Sequence, residues 1–248
     1  LGQKKYRNLI NMRLRLGTIF LICFCFVHTV FGAKSILVFS KTQAYRHASI
    51  KEGKEFFLKL ALHKNLQIDT SESAEIFNNQ DLKKYDCVVF LNTSGDVLND
   101  SQQSAFQNYI RNGGSFLGIH AASDTEKKWP WYNQLVGGFF QNHPKPQNAR
   151  YHILDHKFPA TKFIKADTIN RFEEMYNFYN FQKDKVKVTI TLDETTYTGG
   201  KMGEFHPFTW YHEFEGGKAF FTGFGHHGET FSDPFFKNLI TGALKWLI

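Results

Sequence analysis

Gly113-Gly114-Ser115-Phe116-Leu117-Gly118-Ile119-His120-Ala121-Ala122-Ser123-Asp124 is the stretch whose reading decides the fold. The glycine pair stops a preceding helix, residues 115–119 form a short apolar strand, and small residues then turn the chain at His120. A turn of the form G-x-S-x-G lifts a nucleophile off the carboxyl end of a strand, because only small neighbours tolerate so tight a bend. Here Gly118-Ile119-His120-Ala121-Ala122 supplies the small residues and puts an imidazole in the middle. Imidazole exchanges protons near neutral pH and binds metals, but it is a poor covalent nucleophile. The turn therefore marks a site without a Cys or Ser nucleophile.

Working outward, strands alternate with helical stretches. Residues 35–40, 66–70 and 86–91 read as strands, rich in β-branched and aromatic residues. Between them Ser49 and Glu52 have the spacing of a capping box for a helix running to Lys64, and residues 74–83 form a weaker helix. Asp100 caps a helix whose inner face is Phe106, Tyr109 and Ile110. Later strands are read at 149–154, 186–192 and 218–223. Asp233-Pro234 opens a closing helix with Phe235, Leu239, Ile240, Ala243, Leu244 and Leu247 inward. This order predicts an α/β domain: a flavodoxin-like, open, mostly parallel sheet with helices on both faces.

The amino-terminal residues read differently. Met12-Arg13-Leu14-Arg15, the apolar run 16–27 and the small pair Gly32-Ala33 have the order of a secretory signal peptide, with residues 1–11 upstream of it. The run is shorter than the roughly 20 residues of a membrane span, so no stable span is expected after cleavage. Residues 34–248 are then a single exported domain, periplasmic or extracellular. Residues 1–33 carry five of the chain's 30 basic residues and no acidic ones, which leaves 25 basic against 23 acidic groups. So near a balance excludes the basic stripe of a nucleic-acid binder. Cys87 alone lies outside the leader, inside an apolar strand, so no disulfide framework is expected.

In an open α/β sheet, ligands sit beyond the carboxyl ends of the strands. Tyr45, Arg46 and His47, then Thr93 and Asp96, then His120 and Asp124, then His226 and His227 all follow strand ends. Four loops thereby bring imidazole, hydroxyl and carboxylate groups to one rim. His120 and Asp124 are four apart, on one face if a helix begins there, so Asp124 is the expected orienting partner of His120.

With these residues in hand, the sequence resembles the ThuA-like, or trehalose-utilisation, family from about Ile36 onward. The matching pieces are Tyr45-Arg46-His47, Asn92-Thr93-Ser94-Gly95-Asp96, the 113–122 stretch, Gly137-Gly138-x-Phe140-x-x-His143-Pro144, Glu173-Glu174-x-Tyr176, His206-Pro207-x-x-Trp210 and Gly225-His226. The chain departs from the pattern at Glu173, where aspartate is usual, and at Ser115, where glycine is common. The resemblance implies the class I glutamine amidotransferase-like variant of the flavodoxin-like fold. It also implies use of disaccharides or glycosides, including 3-keto-glycosides made by a partner sugar oxidoreductase.

Three readings follow. In the first, His120 is a general base, Asp124 orients it, and Glu174 or His226 is the acid. Tyr45, Arg46, His47, Thr93, Asp96, Trp129, His143, Tyr176, His206 and Trp210 then bind the sugar, with Trp131 and Tyr132 adding flat apolar faces. In the second, His47, His120, His143, His206 and His226 supply ligands for zinc or a similar divalent metal that activates water in a hydrolase. In the third, the rim recognises a carbohydrate without turning it over.

Overall fold

The computed structural model describes residues 33–248, and these form one compact unit. The leader expected over residues 1–33 lies outside the described residues, apart from Ala33. Among the described residues no helix is long and apolar enough to cross a membrane.

Five strands form the parallel half of the sheet: β1 (Lys34–Phe39), β2 (Leu66–Ser71), β3 (Cys87–Leu91), β4 (Ser115–Ile119) and β11 (Gly217–Thr222). Their spatial order is β2-β1-β3-β4-β11, with every neighbouring pair parallel. β3 and β4 are buried at every position, as expected for strands covered on both faces. Side-chain alternation along β1 shows why. Ile36 and Val38 join a core with α1 (Ile50–Lys64) and α5 (Pro234–Leu247), while Leu37 and Phe39 join a second core with α3 (Asp100–Arg111) and α4 (Pro130–Val136). Cys87 is fully buried within the first core.

The sheet continues as an antiparallel extension, β10 (His206–Phe214), β9 (Lys187–Asp193), β6 (Gln147–Ile153) and β7 (Thr168–Glu173). A separate pair joins β5 (Phe139–Asn142) and β8 (Asn177–Tyr179). The fold class is the predicted one: a large, mixed α/β sheet of flavodoxin-like order with an antiparallel wing. Strands β5, β7, β8 and β10 go beyond what the sequence predicts. β5 and β8 are too short to show a period, and β10 places Pro207 and two histidines in a buried strand.

Four helices differ from the sequence reading. Ser49 makes no side-chain cap on α1; its hydroxyl instead donates to the carbonyl oxygen of Gly225, 176 residues away. The weaker helix expected over 74–83 is split into a 3-10 turn, Ala74–Ile76, and the single turn of α2 (Asn79–Leu82), because Asn78 between them is extended and caps the second piece. The cap of α3 is Asn99, in a capping box with Gln102, rather than Asp100. In α5 the buried phenylalanine is Phe236 and Phe235 is only partly covered, because Asp233 caps the helix at the nitrogen of Phe235 and fixes its first turn.

Candidate active site

The turn after β4 is the tight one expected. His120 has φ 48°, in the left-handed region that non-glycine residues rarely occupy, and opens a 3-10 turn, His120–Asp124. With about three residues per turn rather than 3.6, positions i and i+4 do not share a face. Asp124 accordingly pairs with Lys127, 2.5 Å away, and is not the orienting partner of His120.

His120 is held from elsewhere. Its Nδ1 lies 2.8 Å from the carbonyl oxygen of Gly223, just past β11. A carbonyl only accepts, so Nδ1 donates to it and Nε2 is left to face the rim. That Nε2 faces Oε2 of Glu174 at 3.3 Å. His226 Nδ1 reaches the same oxygen at 3.0 Å, and His143 Nδ1 reaches Oε1 at 3.0 Å. The His47 ring completes the group, with ring centres 4.9 Å from His120 and 5.3 Å from His226, each pair nearly perpendicular. Tyr176 lies against His120, ring centres 4.1 Å apart, with its hydroxyl 3.4 Å from His47 Nε2.

Burial and charge follow from this packing. His47, His120 and Glu174 are buried, His226 is half-buried, and His143 is exposed. Burial, then the neighbouring His120 and His226, push His47 down to about 3, so this ring is neutral. Burial would raise Glu174, but the imidazoles of His120 and His226 outweigh it and hold the carboxyl well below the usual range. Burial lowers His226, and the adjacent Glu174 more than reverses that. Each of His47, His120, Glu174 and His226 offers one ligand-type atom, and the four atoms lie within 4.8 Å of one another.

Asn92, at the end of β3 with φ 50°, bolts these loops together. Its Nδ2 donates to Ser49 Oγ and to the oxygen of Gly225, and its Oδ1 accepts from Ala121 N. Three loops that follow different strands thus meet on one buried amide. Its place at a strand end and in the matching piece Asn92–Asp96 singles out the loop, but neither tells of the anchoring role. Glu173 also ties loops together, since Oε1 accepts from Glu174 N and Oε2 from Gly225 N. Its longer arm anchors the Gly225 loop instead of joining the histidines.

A cavity of about 710 Å³ lies at the opposite, amino ends of the strands, lined by Lys34, Asp86, Gly114 and Leu247. The cluster of His47, His120, Glu174 and His226 lies at the carboxyl ends, where the topology predicts ligands. A family model described as trehalose utilisation, ThuA, matches residues 35–247.

The chain belongs to the ThuA family.

The fold agrees with solved relatives. A ThuA-like protein of Bacteroides uniformis ATCC 8492 superposes with TM-score 0.75 at 23% identity, covering 87% of this chain and 91% of that one. A ThuA-like protein of Parabacteroides merdae ATCC 43184 gives TM-score 0.72 at 17% identity, covering 86% and 89%. A β-galactosidase of Bacillus circulans sp. alkalophilus shares the fold at TM-score 0.55 and 10% identity, over 87% of this chain and 31% of that one. Nothing among curated proteins matches the sequence.

Within this ThuA fold the other sequence-predicted residues separate clearly. Tyr45 stays at the mouth, 66% exposed, with its ring edge-on to His47 at 4.8 Å. Arg46 turns away to a two-pronged pair with Glu72, both contacts at 3.0 Å. Thr93 is buried against the hydroxyl of Thr125, and Asp96 pairs with Lys128 at the surface. His206 is also withdrawn: Nε2 donates to the oxygen of Tyr176, and Nδ1 meets Glu194 and the Tyr197 hydroxyl. The expected ring platform is mostly core. Trp210, Tyr132, Trp131 and Tyr176 are all buried, Trp210 donating to Val136 O, and Trp129 stacks on Trp131. Large aromatic rings are drawn inward by the apolar area they remove from water.

Proposed function

We propose that this ThuA chain is an enzyme of carbohydrate use that acts on a disaccharide or glycoside, in the 3-keto form, at the rim around Glu174. The observation that carries the reading is the convergence on one buried carboxylate of His120, His226 and exposed His143, from three separate loops. A family tied to trehalose utilisation supplies the substrate class.

His120 is fully buried and cannot touch a sugar, so the base role passes to His143, the exposed imidazole against Glu174. A carbonyl at C3 acidifies the hydrogen at C2. His143 takes that proton, the electron pair forms the C1–C2 double bond as the C1–O bond breaks, and the leaving oxygen takes the proton back from His143. Proton transfer of this kind contributes about 10² to 10⁴ in rate. Export to the periplasm or beyond, and supply of the keto sugar by an oxidoreductase, belong to the same proposal.

The test is turnover of disaccharides, glucosides and their 3-keto forms by the native chain, His143→Ala and Glu174→Gln. Turnover of a keto-glycoside that both variants lose, with unchanged circular dichroism, supports the reading. Binding without turnover across the whole panel overturns it in favour of a sugar-recognition module.

A further inference from the structure

Three buried ring nitrogens at the centre of the rim lack hydrogen-bond partners among the described residues: His47 Nδ1, His120 Nε2 and His226 Nδ1. Two of them stand 3.0 and 3.3 Å from Glu174 Oε2, close enough for contact but without the alignment of a hydrogen bond. Buried polar atoms in native proteins are nearly always satisfied, so three orphans within one cluster require an occupant.

We propose that His47, His120, His226 and Glu174 form the binding site of one first-row transition-metal dication. The inference deepens the preceding reading by naming a cofactor for the same rim, and rests on that reading only for where the reaction takes place.

The donor set selects the ion. Three imidazoles with one carboxylate suit zinc, manganese, iron(II), cobalt or nickel, whereas magnesium and calcium call for oxygen ligands. Spacing agrees as well. Metal–donor bonds of about 2.0–2.1 Å at tetrahedral angles put neighbouring donor atoms about 3.3 Å apart, close to the distances from Glu174 to His120 and His226. The His120 ring is also oriented as metal-ligating histidines are, with its other nitrogen donating to a backbone carbonyl, here that of Gly223.

The sequence alone could not reveal this set. His47, His120, Glu174 and His226 are spread over 180 positions with no short ligand spacing, and only the sheet order brings them together. Of the five histidines suggested by sequence, His206 is excluded because both of its nitrogens are engaged by Tyr176, Glu194 and Tyr197. His143 contacts the outer carboxylate oxygen and stays exposed at the mouth, free for the proton chemistry.

The test needs no sugar. The chain is expressed without a histidine tag, stripped with chelator, and titrated calorimetrically with zinc, manganese, iron(II), cobalt and nickel, with magnesium and calcium as controls. The expected result is one transition ion per chain at a Kd below about 1 µM, with His226→Gln and Glu174→Gln each weakening it about tenfold or more. Because those variants can misfold, X-ray absorption on the unmutated cobalt-loaded chain gives an independent readout, expected to show imidazole scattering. Failure of every transition ion to bind at 1:1, affinity unchanged in both folded variants, or a spectrum without imidazole would overturn the proposal. One-to-one binding with that spectrum but no turnover of any keto sugar would uphold the metal centre and remove the reaction; turnover by a chain that binds no metal would do the reverse.

Discussion

Asn92 Nδ2 lies 3.1 Å from the carbonyl oxygen of Gly225, across 133 positions of sequence. The same side chain reaches Ser49 and Ala121, so the loops carrying His47, His120 and His226 share one fully buried anchor. Asn92→Ala leaves the Ala121 amide without its partner and puts alanine at φ 50°. We expect a loss of about 2–4 kcal/mol, read from urea denaturation. A loss below about 1 kcal/mol would show that water or another group replaces the amide.

Gly225 is required by conformation and by space. Its φ is 127°, and a Cβ there would stand 2.7 Å from Ile119 Cγ2. Gly225→Ala should destabilise the chain by about 1–3 kcal/mol and displace His226. Denaturation together with the chemical shifts of labelled histidine would register both effects; unchanged values in both would refute the strained-turn account.

Tyr45 is the exposed ring beside the histidines, and its backbone is pinned because Ser94 Oγ donates to its carbonyl at 2.6 Å. A ring held that way suits stacking on a pyranose face. Tyr45→Ala should raise KM about threefold to tenfold with kcat nearly unchanged, and Tyr45→Phe should restore it. Equal kinetics for Tyr45→Ala and the native chain would mean the sugar binds elsewhere on the rim.

His212 gives a pH signature in stability, away from the rim. It is buried, its Nε2 donates to Leu135 O at 2.9 Å, and burial, opposed by that bond and aided by nearby Lys185, lowers its pKa below the usual 6.5. Between the lowered folded value and 6.5 the unfolded chain binds the extra proton. Stability is therefore full above about pH 6.5 and falls as the pH drops below it. His47 and His206 are lowered by burial in the same direction, so His212→Gln should flatten the slope between about pH 7 and 5 without removing it. An unaltered slope in denaturation midpoints would show that His212 is not protonated differentially.

The alternation of buried runs and helices gave away the parallel half: residues 115–119 form β4 as read, and the helix after Asp233 follows its proline start. The wing was less legible. β7 is an amphipathic strand whose neighbours come from β6 by sheet pairing, and the three-residue β8 has no pattern of its own. At the rim, the histidines after strand ends could be read from order alone, because each strand's carboxyl end fixes where its loop emerges. The expected pairing of His120 with Asp124 fails because it requires α-helical spacing, and the chain makes a 3-10 turn there.

Sequence by itself determined the layers, the strand directions in the parallel half and the position of a histidine at the sharpest turn, since these depend on local period and on small residues. Tertiary structure alone decided which acid meets that histidine. Glu174 and Asp124 carry the same charge, and only the route of the antiparallel wing back across the strand ends sets one of them 3.3 Å from the imidazole. It likewise decided that Trp131 and Trp210 belong to the core, because burial depends on what the finished sheet leaves uncovered and not on residue type.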